Sequence, residues 1–162
     1  MHLYLVRHAE AVPLGEQGIE TDEERPLTPN GEAQCEALAQ ALKRLGVRFD
    51  ILLTSPLVRT KQTATGLAVV AARTKECAEL APGVKKRKLL DSVREAKGDA
   101  VGLVGHNPDL SELVGWFVGD KQAGIDLDKS GVACVAFDGK PAKGGGVLVW
   151  MVTPEWSAAV GK

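Results

Sequence analysis

No apolar run in this chain of 162 residues approaches the roughly 20 residues that a helix needs to span a bilayer. Charge of one sign is equally missing. The formal net charge is −1, so no global excess points to nucleic acid or to a membrane surface. The N-terminus enters an apolar, strand-like run at once, without the basic and apolar regions of a signal peptide. Cysteine is sparse: Cys35, Cys77 and Cys134 are odd in number, widely spaced and form no CxxC pair. They read as reduced thiols filling a core rather than a disulfide framework. The few histidines do not cluster with cysteines, so neither a zinc site nor another metal or cofactor is expected. What is present, 44% apolar and 25% charged residues, is the profile of a globular protein. The length allows one domain with a full core or two very small ones. With no internal repeat or long linker, the expectation is a single domain over residues 1–162, cytoplasmic and monomeric.

The first apolar run, Leu3 to Val6, is too short for a helix and has the character of a buried strand. It stops at Arg7-His8. Ala11 to Arg25 is polar and acidic and reads as a long loop, a length that is often functional. Thr28-Pro29 is a helix start signal, a capping hydroxyl before a proline suited to the first helical position. Leu38, Leu42 and Leu45 mark one face of that helix, which ends near Gly46. Asp50 to Ser55 is a second strand, stopped by Pro56, and a second helix is expected from Leu57 to Ala72. Ala78 to Pro82 reads as a short third strand and Val84 to Ala96 as a helix. Ala100 to Gly105 is a fourth strand, followed at once by His106, and Leu110 to Val118 a further helix. Val132 to Phe137 and Val147 to Val152 read as strands joined by a Gly- and Lys-rich hairpin. Strands alternating with helices predict a three-layer α/β/α sandwich, mainly parallel, with an antiparallel pair near the C-terminus.

Open α/β sheets deliver ligand-binding groups at the carboxyl ends of their strands. Three predicted strand ends carry such groups: Arg7-His8, Ser55-Pro56 with Arg59 one helical turn on, and His106. Arg25, just before the first helix, can reach the same crevice. Guanidinium groups bind phosphoryl oxygens in pairs and do not deprotonate, so a phosphoryl group suits this set. The helix starts at Pro29 and Pro56 would add their positive ends. Taken alone, Arg7-His8 is an ordinary strand end, His106 a turn histidine and Arg59 a surface arginine; their arrangement sets them apart.

The segments Arg7-His8-Ala9-Glu10, Arg25-Pro26-Leu27-Thr28, Ser55 to Thr63 and Val104-Gly105-His106 resemble, in order, the signatures of the histidine phosphatase (phosphoglycerate mutase-like) superfamily. The resemblance is greatest to its small SixA-like phosphohistidine phosphatase branch. It implies that His8 is a nucleophile that becomes transiently phosphorylated. Arg7 and Arg59 would hold the phosphoryl oxygens, His106 would donate to them, and Arg25 would be an additional phosphate ligand. The partner would be a phosphorylated protein or a small phosphorylated metabolite, with no metal. Two positions depart from the wider pattern. Ala9 stands where glycine is commoner, which argues against a positive φ there. The general acid of larger members has Glu79 as its candidate here, with Glu10 behind it. Either carboxylate is equally readable as a surface or loop group.

Other residues have plain readings. His2 is a solvent-exposed terminal residue, and Ser55 is a helix cap without an acid–base partner. The Lys85-Lys86-Arg87-Lys88 run is a solvated helix face or a rim for acidic phosphoproteins. The acidic stretch Glu16 to Glu24 is a solvated loop or a screen against highly anionic small molecules. Two rival functions remain open at this level. One is a small-molecule phosphomonoesterase of the same superfamily; the other is a phosphoprotein-binding module without turnover.

Overall fold

A computed structural model describes residues 1–119 and 123–160. The expectation of one domain over the whole chain takes in residues 120–122, 161 and 162, which lie outside that description. In chain order the elements are β1 (His2–Arg7), α1 (Pro29–Arg44), β2 (Ile51–Thr54), α2 (Val58–Gly66), β3 (Thr74–Glu76) and α3 (Lys86–Glu95). They continue with β4 (Ala100–Gly105), α4 (Asp109–Val118), β5 (Val132–Phe137), β6 (Gly146–Val152) and α5 (Pro154–Val160). The strands form one sheet in the order β3-β2-β4-β1-β5-β6. β1, β2, β3 and β4 run parallel, while β5 is antiparallel to both β1 and β6. This is the predicted mixed sheet.

Alternation along the strands builds two apolar layers. Leu3 and Leu5 of β1 join Leu103 of β4, Leu89 and Val93 of α3 and Leu113 and Phe117 of α4 on one face. Tyr4 and Val6 join Leu52, Leu38 and Leu42 of α1 and Ala64 of α2 on the other. Gly102 of β4 leaves room for the Leu52 side chain of β2, because a Cβ there would lie 2.4 Å from Leu52 Cδ1. Thr28 caps α1 as expected, accepting from the Gly31 amide, with Pro29 at the first helical position. All three cysteines are buried and free.

Three expected elements differ from the sequence reading, and the terminal helix α5 was not among the expected elements. The third strand is Thr74–Glu76, and Ala78–Leu80 is instead a 3-10 turn. β3 is exposed throughout and pairs with β2 through backbone alone, so no apolar run announces it. The second helix stops at Gly66, and Ala68–Val70 forms a separate 3-10 turn; glycine is a poor helix former and marks the break. Leu45 is the cap residue beyond the last turn of α1 and is exposed, not inward.

Candidate active site

β1, β2 and β4 deliver their carboxyl ends to one edge of the sheet, where their next residues meet. The His8 amide donates to the Gly105 carbonyl at 3.1 Å, tying the segment after β1 to the end of β4. From the other side the Ser130 amide donates to the carbonyls of Arg7 (3.1 Å) and His8 (3.2 Å). Thr63 of α2 then locks the next residue. Its hydroxyl accepts from the Ala9 amide at 3.1 Å and donates to the Arg59 carbonyl at 2.7 Å. With Ala9 held, its carbonyl accepts a hydrogen bond from His8 Nδ1 at 2.7 Å. That contact puts the proton on Nδ1 and leaves a lone pair on Nε2.

Nε2 of His8 faces Arg59, whose Nε donates to it at 3.2 Å. Arg59 lies in the first turn of α2, is only 4% exposed and spends its remaining donors locally. One terminal nitrogen donates to the Asp22 carbonyl at 2.6 Å. The other donates to Asp22 Oδ2 at 2.8 Å and to His106 Nδ1 at 3.2 Å. The opposite nitrogen of His106 meets Ser55 Oγ at 2.9 Å. The two imidazole rings lie 5.2 Å apart, centre to centre. Arg25 donates to the Val12 carbonyl at 2.7 Å and to Asp22 Oδ1 at 2.8 Å. Arg7 donates to the Leu127 carbonyl at 2.9 Å, and its Nε is buried with no partner. A buried guanidinium N–H with nothing to donate to is costly unless a ligand oxygen takes it.

Burial, reinforced by the charges of Arg59, Arg7 and Arg25, lowers the His8 pKa to about 4 against the pull of the Ala9 hydrogen bond. Burial, then Arg59 and His8, lower that of His106 to about 3. Both rings are therefore neutral at neutral pH. Burial raises the Asp22 pKa, but hydrogen bonds from Arg25 and Arg59 outweigh it and keep the carboxylate ionised. The arrangement offers three fixed positive charges around an imidazole whose unprotonated Nε2 is held only by the Arg59 hydrogen bond, suited to a dianion and a nucleophilic attack on it.

A family model for the histidine phosphatase superfamily, branch 1, matches residues 3–112. The chain belongs to the histidine phosphatase superfamily. It is 34% identical to an uncharacterized protein of Picosynechococcus sp., an alignment covering 96% of this chain and 98% of the other. It is also 34% identical to GpmB of Cronobacter sakazakii, named a probable phosphoglycerate mutase, but spans only 52% of that protein. Among solved structures, the protein histidine phosphatase SixA complexed with tungstate superposes with a TM-score of 0.78 at 25% identity. That match covers 95% of this chain and 97% of SixA. A phosphoserine phosphatase of Entamoeba histolytica shares the fold at a TM-score of 0.72 and 18% identity, over 95% and 98% of the two chains.

In this member of the superfamily the fold brings Arg7, His8, Arg59 and His106 to one edge, with Arg25 joined through Asp22. Glu79 follows the carboxyl end of β3, which is parallel to β2, but no described hydrogen bond joins it to these residues. It lies in the 3-10 turn and accepts from Cys77 Sγ at 3.4 Å. It lines a separate cavity of about 400 Å3 with Cys77, Ser92 and Lys97. The 3-10 turn that follows β3 gives the Glu79 carboxylate a local partner in Cys77 instead. Glu10 is also engaged elsewhere, held by Thr28 Oγ1 at 2.6 Å and Asn30 Nδ2 at 3.0 Å. Those hydrogen bonds lower its pKa. Two site residues escaped the sequence reading. Ser55 read as a cap, yet its hydroxyl pairs with His106, and its contact with the Leu57 amide is long at 3.5 Å. Asp22 was one acid among several in a loop; its spacing of three residues before Arg25 was the available signal. Among the described residues no group of His, Cys, Asp or Glu is disposed to hold a metal ion. No helix among them is long and apolar enough to cross a membrane.

Proposed function

We propose that this phosphatase hydrolyses phosphohistidine borne by proteins, through a covalent phosphohistidine on its own His8. The observation that carries the reading is the hydrogen bond from His8 Nδ1 to the Ala9 carbonyl, which aims an unprotonated Nε2 into the arginine cluster. In the first step the Nε2 lone pair forms a bond to phosphorus as the bond to the leaving group breaks. Arg7, Arg25 and Arg59 hold the equatorial oxygens, and their charges offset the negative charge of the transition state. In the resting site His106 Nδ1 accepts from Arg59 and its proton sits on Nε2 toward Ser55. When Arg59 turns its N–H to the phosphoryl oxygens, the ring changes tautomer, Ser55 donates to Nε2, and Nδ1–H can donate to the phosphoryl group. In the second step water attacks phosphorus, the His8–phosphorus bond breaks, and orthophosphate leaves with neutral His8 restored.

The preference for a phosphoramidate follows from the carboxylates. An ester needs a general acid to protonate its leaving oxygen, but Glu79 and Glu10 are engaged elsewhere and Asp22 is ion-paired to Arg25 and Arg59. The nitrogen leaving group of phosphohistidine is basic enough to take its proton from solvent. The test compares turnover of a phosphohistidine-bearing protein with that of sugar phosphates, in the wild type and in His8→Ala. The expected result is preference for the phosphoprotein, an acid-labile phosphoenzyme in the wild type, and neither turnover nor phosphoenzyme in His8→Ala. Turnover surviving in His8→Ala defeats the mechanism; faster cleavage of sugar phosphates defeats the substrate assignment.

A further inference from the structure

The acidic loop between β1 and α1 is closed at its neck. The Val12 amide donates to the Pro26 carbonyl at 2.8 Å, Ala11 bridges Leu27, and Arg25 Nε donates back to the Val12 carbonyl at 2.7 Å. Beyond that neck, the described hydrogen bonds from the loop to the rest of the molecule are few, and all reach the start of α2. They run from Arg59 to the carbonyl and carboxylate of Asp22, and from the Val58 amide to the Glu23 carbonyl at 3.1 Å. The remaining contacts of the loop are turns within itself, such as Thr21 Oγ1 to Glu24 Oε2 at 2.8 Å. Compact loops with closed necks are commonly functional.

Asp22 presents a planar anion to the same N–H groups that a phosphoryl group needs. One carboxylate oxygen takes Arg25 and the other takes Arg59, each at 2.8 Å. The Asp22 side chain is 44% exposed, against 5% for that of Arg59, so the carboxylate lies on the solvent side and has somewhere to go. A phosphoryl dianion on those arginines and an ionised carboxylate in contact with it repel each other.

We infer that Asp22 is a built-in competitor for the phosphate clamp, a carboxylate that an incoming phosphoryl group must displace from Arg59 and Arg25. This inference rests on the phosphatase reading of the site and adds to it. Asp22 sets the affinity of the clamp, weakening its hold on a bare phosphate. Its return to the arginines helps product orthophosphate to leave. Substrates that bring contacts beyond the phosphoryl group overcome the competition best.

The test measures binding of inorganic phosphate by calorimetry, and steady-state turnover of a phosphohistidine-bearing protein, in the wild type, Asp22→Asn, Asp22→Ala and Glu16→Gln. An exposed ion pair contributes modestly, so Kd for phosphate should fall by between about twofold and about tenfold in the Asp22 variants. Ala should exceed Asn, because an amide oxygen can still accept from the arginines. KM and the inhibition constant of phosphate should fall alongside, with kcat changed less. Glu16→Gln removes the same charge from an exposed position of the same loop and should leave all three constants unaltered. Unchanged or weaker phosphate binding in both Asp22 variants overturns the proposal, as does an equal gain in Glu16→Gln. So does a hundredfold loss of kcat at constant Kd, which would make Asp22 a participant in the chemistry. If those overturning results come with normal wild-type turnover, only the competitor role falls. If neither phosphate binding nor turnover is found in any of the four proteins, the phosphatase reading falls with it.

Discussion

Arg59 connects more of the site than any other side chain, and two substitutions separate its charge from its shape. Arg59→Met removes the charge but keeps an unbranched chain of similar length among buried neighbours. Removing one partner of an ion pair destabilises when it strands a buried charge, but the Asp22 side chain is 44% exposed and can be resolvated. The variant should therefore fold. Loss of one donor to a developing oxyanion costs about 10²–10³ in kcat, and Arg59 supplies both charge and a paired fork, so a loss of about 10³ or more is expected. Arg59→Lys keeps the charge but cannot make two parallel hydrogen bonds; it should recover about tenfold relative to Met and remain well below the wild type. A second consequence is independent of rate. The Arg59 charge lowers the pKa of both His8 and His106, so Arg59→Met should move both upward. The acid limb of kcat/KM, set by protonation of His8, should shift to higher pH with them. Steady-state kinetics across pH and histidine titration by NMR provide the readouts. Wild-type rates in Arg59→Lys, or histidines in Arg59→Met that titrate no higher than before, would refute the reasoning.

The histidines also bear on stability. Their folded pKa values, about 4 and about 3, lie below the ordinary 6.5, so the unfolded chain takes up protons first as pH falls. Stability should hold above pH 6.5 and decline as pH drops toward 4, by about 1.4 kcal/mol per pH unit for each histidine; urea melts from pH 7.5 to 4 check the sign, and His8→Ala should flatten the slope. Gly31, in the first turn of α1, packs so closely on the segment after His8 that a Cβ would lie 2.0 Å from the Glu10 carbonyl oxygen. Gly31→Ala should cost about 1–3 kcal/mol, lower Tm by several degrees and reduce kcat by moving the Ala9 carbonyl; an unchanged melting curve would contradict the close approach.

The legible parts of this molecule are those where local chemistry and global fold use the same signal. Thr28-Pro29 reads as a helix start because the cap is made within four residues of sequence. The strands β1, β2 and β4 are buried on both faces and announce themselves as apolar runs. Once these are taken as parallel, the polar residues that end them must fall on one edge, so Arg7, His8, Arg59 and His106 could be grouped without coordinates. β3 could not be read, because its exposed Thr74-Lys75-Glu76 carries no burial pattern and its pairing is purely backbone. Ser55 and Asp22 were hidden differently: each has an adequate local role, as a cap or a loop acid. Their contacts with His106 and Arg59 span 51 and 37 residues of sequence. Nothing in a single local pattern states which distant histidine or arginine a hydroxyl or carboxylate will meet.

On the proposed mechanism, the arginine cluster has two effects on His8 that change sign during the reaction. Before a phosphoryl group enters, the three positive charges join burial in depressing the basicity of His8. Protonation is thereby suppressed, but so is nucleophilicity, since a weakly basic nitrogen attacks poorly. A bound dianion neutralises those charges at close range, and the depression from the arginines is relieved where and when the lone pair is needed. The Ala9 carbonyl then matters more, because positive charge grows on the ring as the nitrogen–phosphorus bond forms. An acceptor at 2.7 Å on Nδ1 stabilises that charge throughout. Arginines alone would make an anion-binding site with an inert histidine. The carbonyl alone would orient an imidazole with nothing to attack. A backbone acceptor on one ring nitrogen and, on the other, a cluster that a phosphoryl dianion offsets more fully than the single charge of Asp22 make binding of the phosphoryl group the event that activates His8.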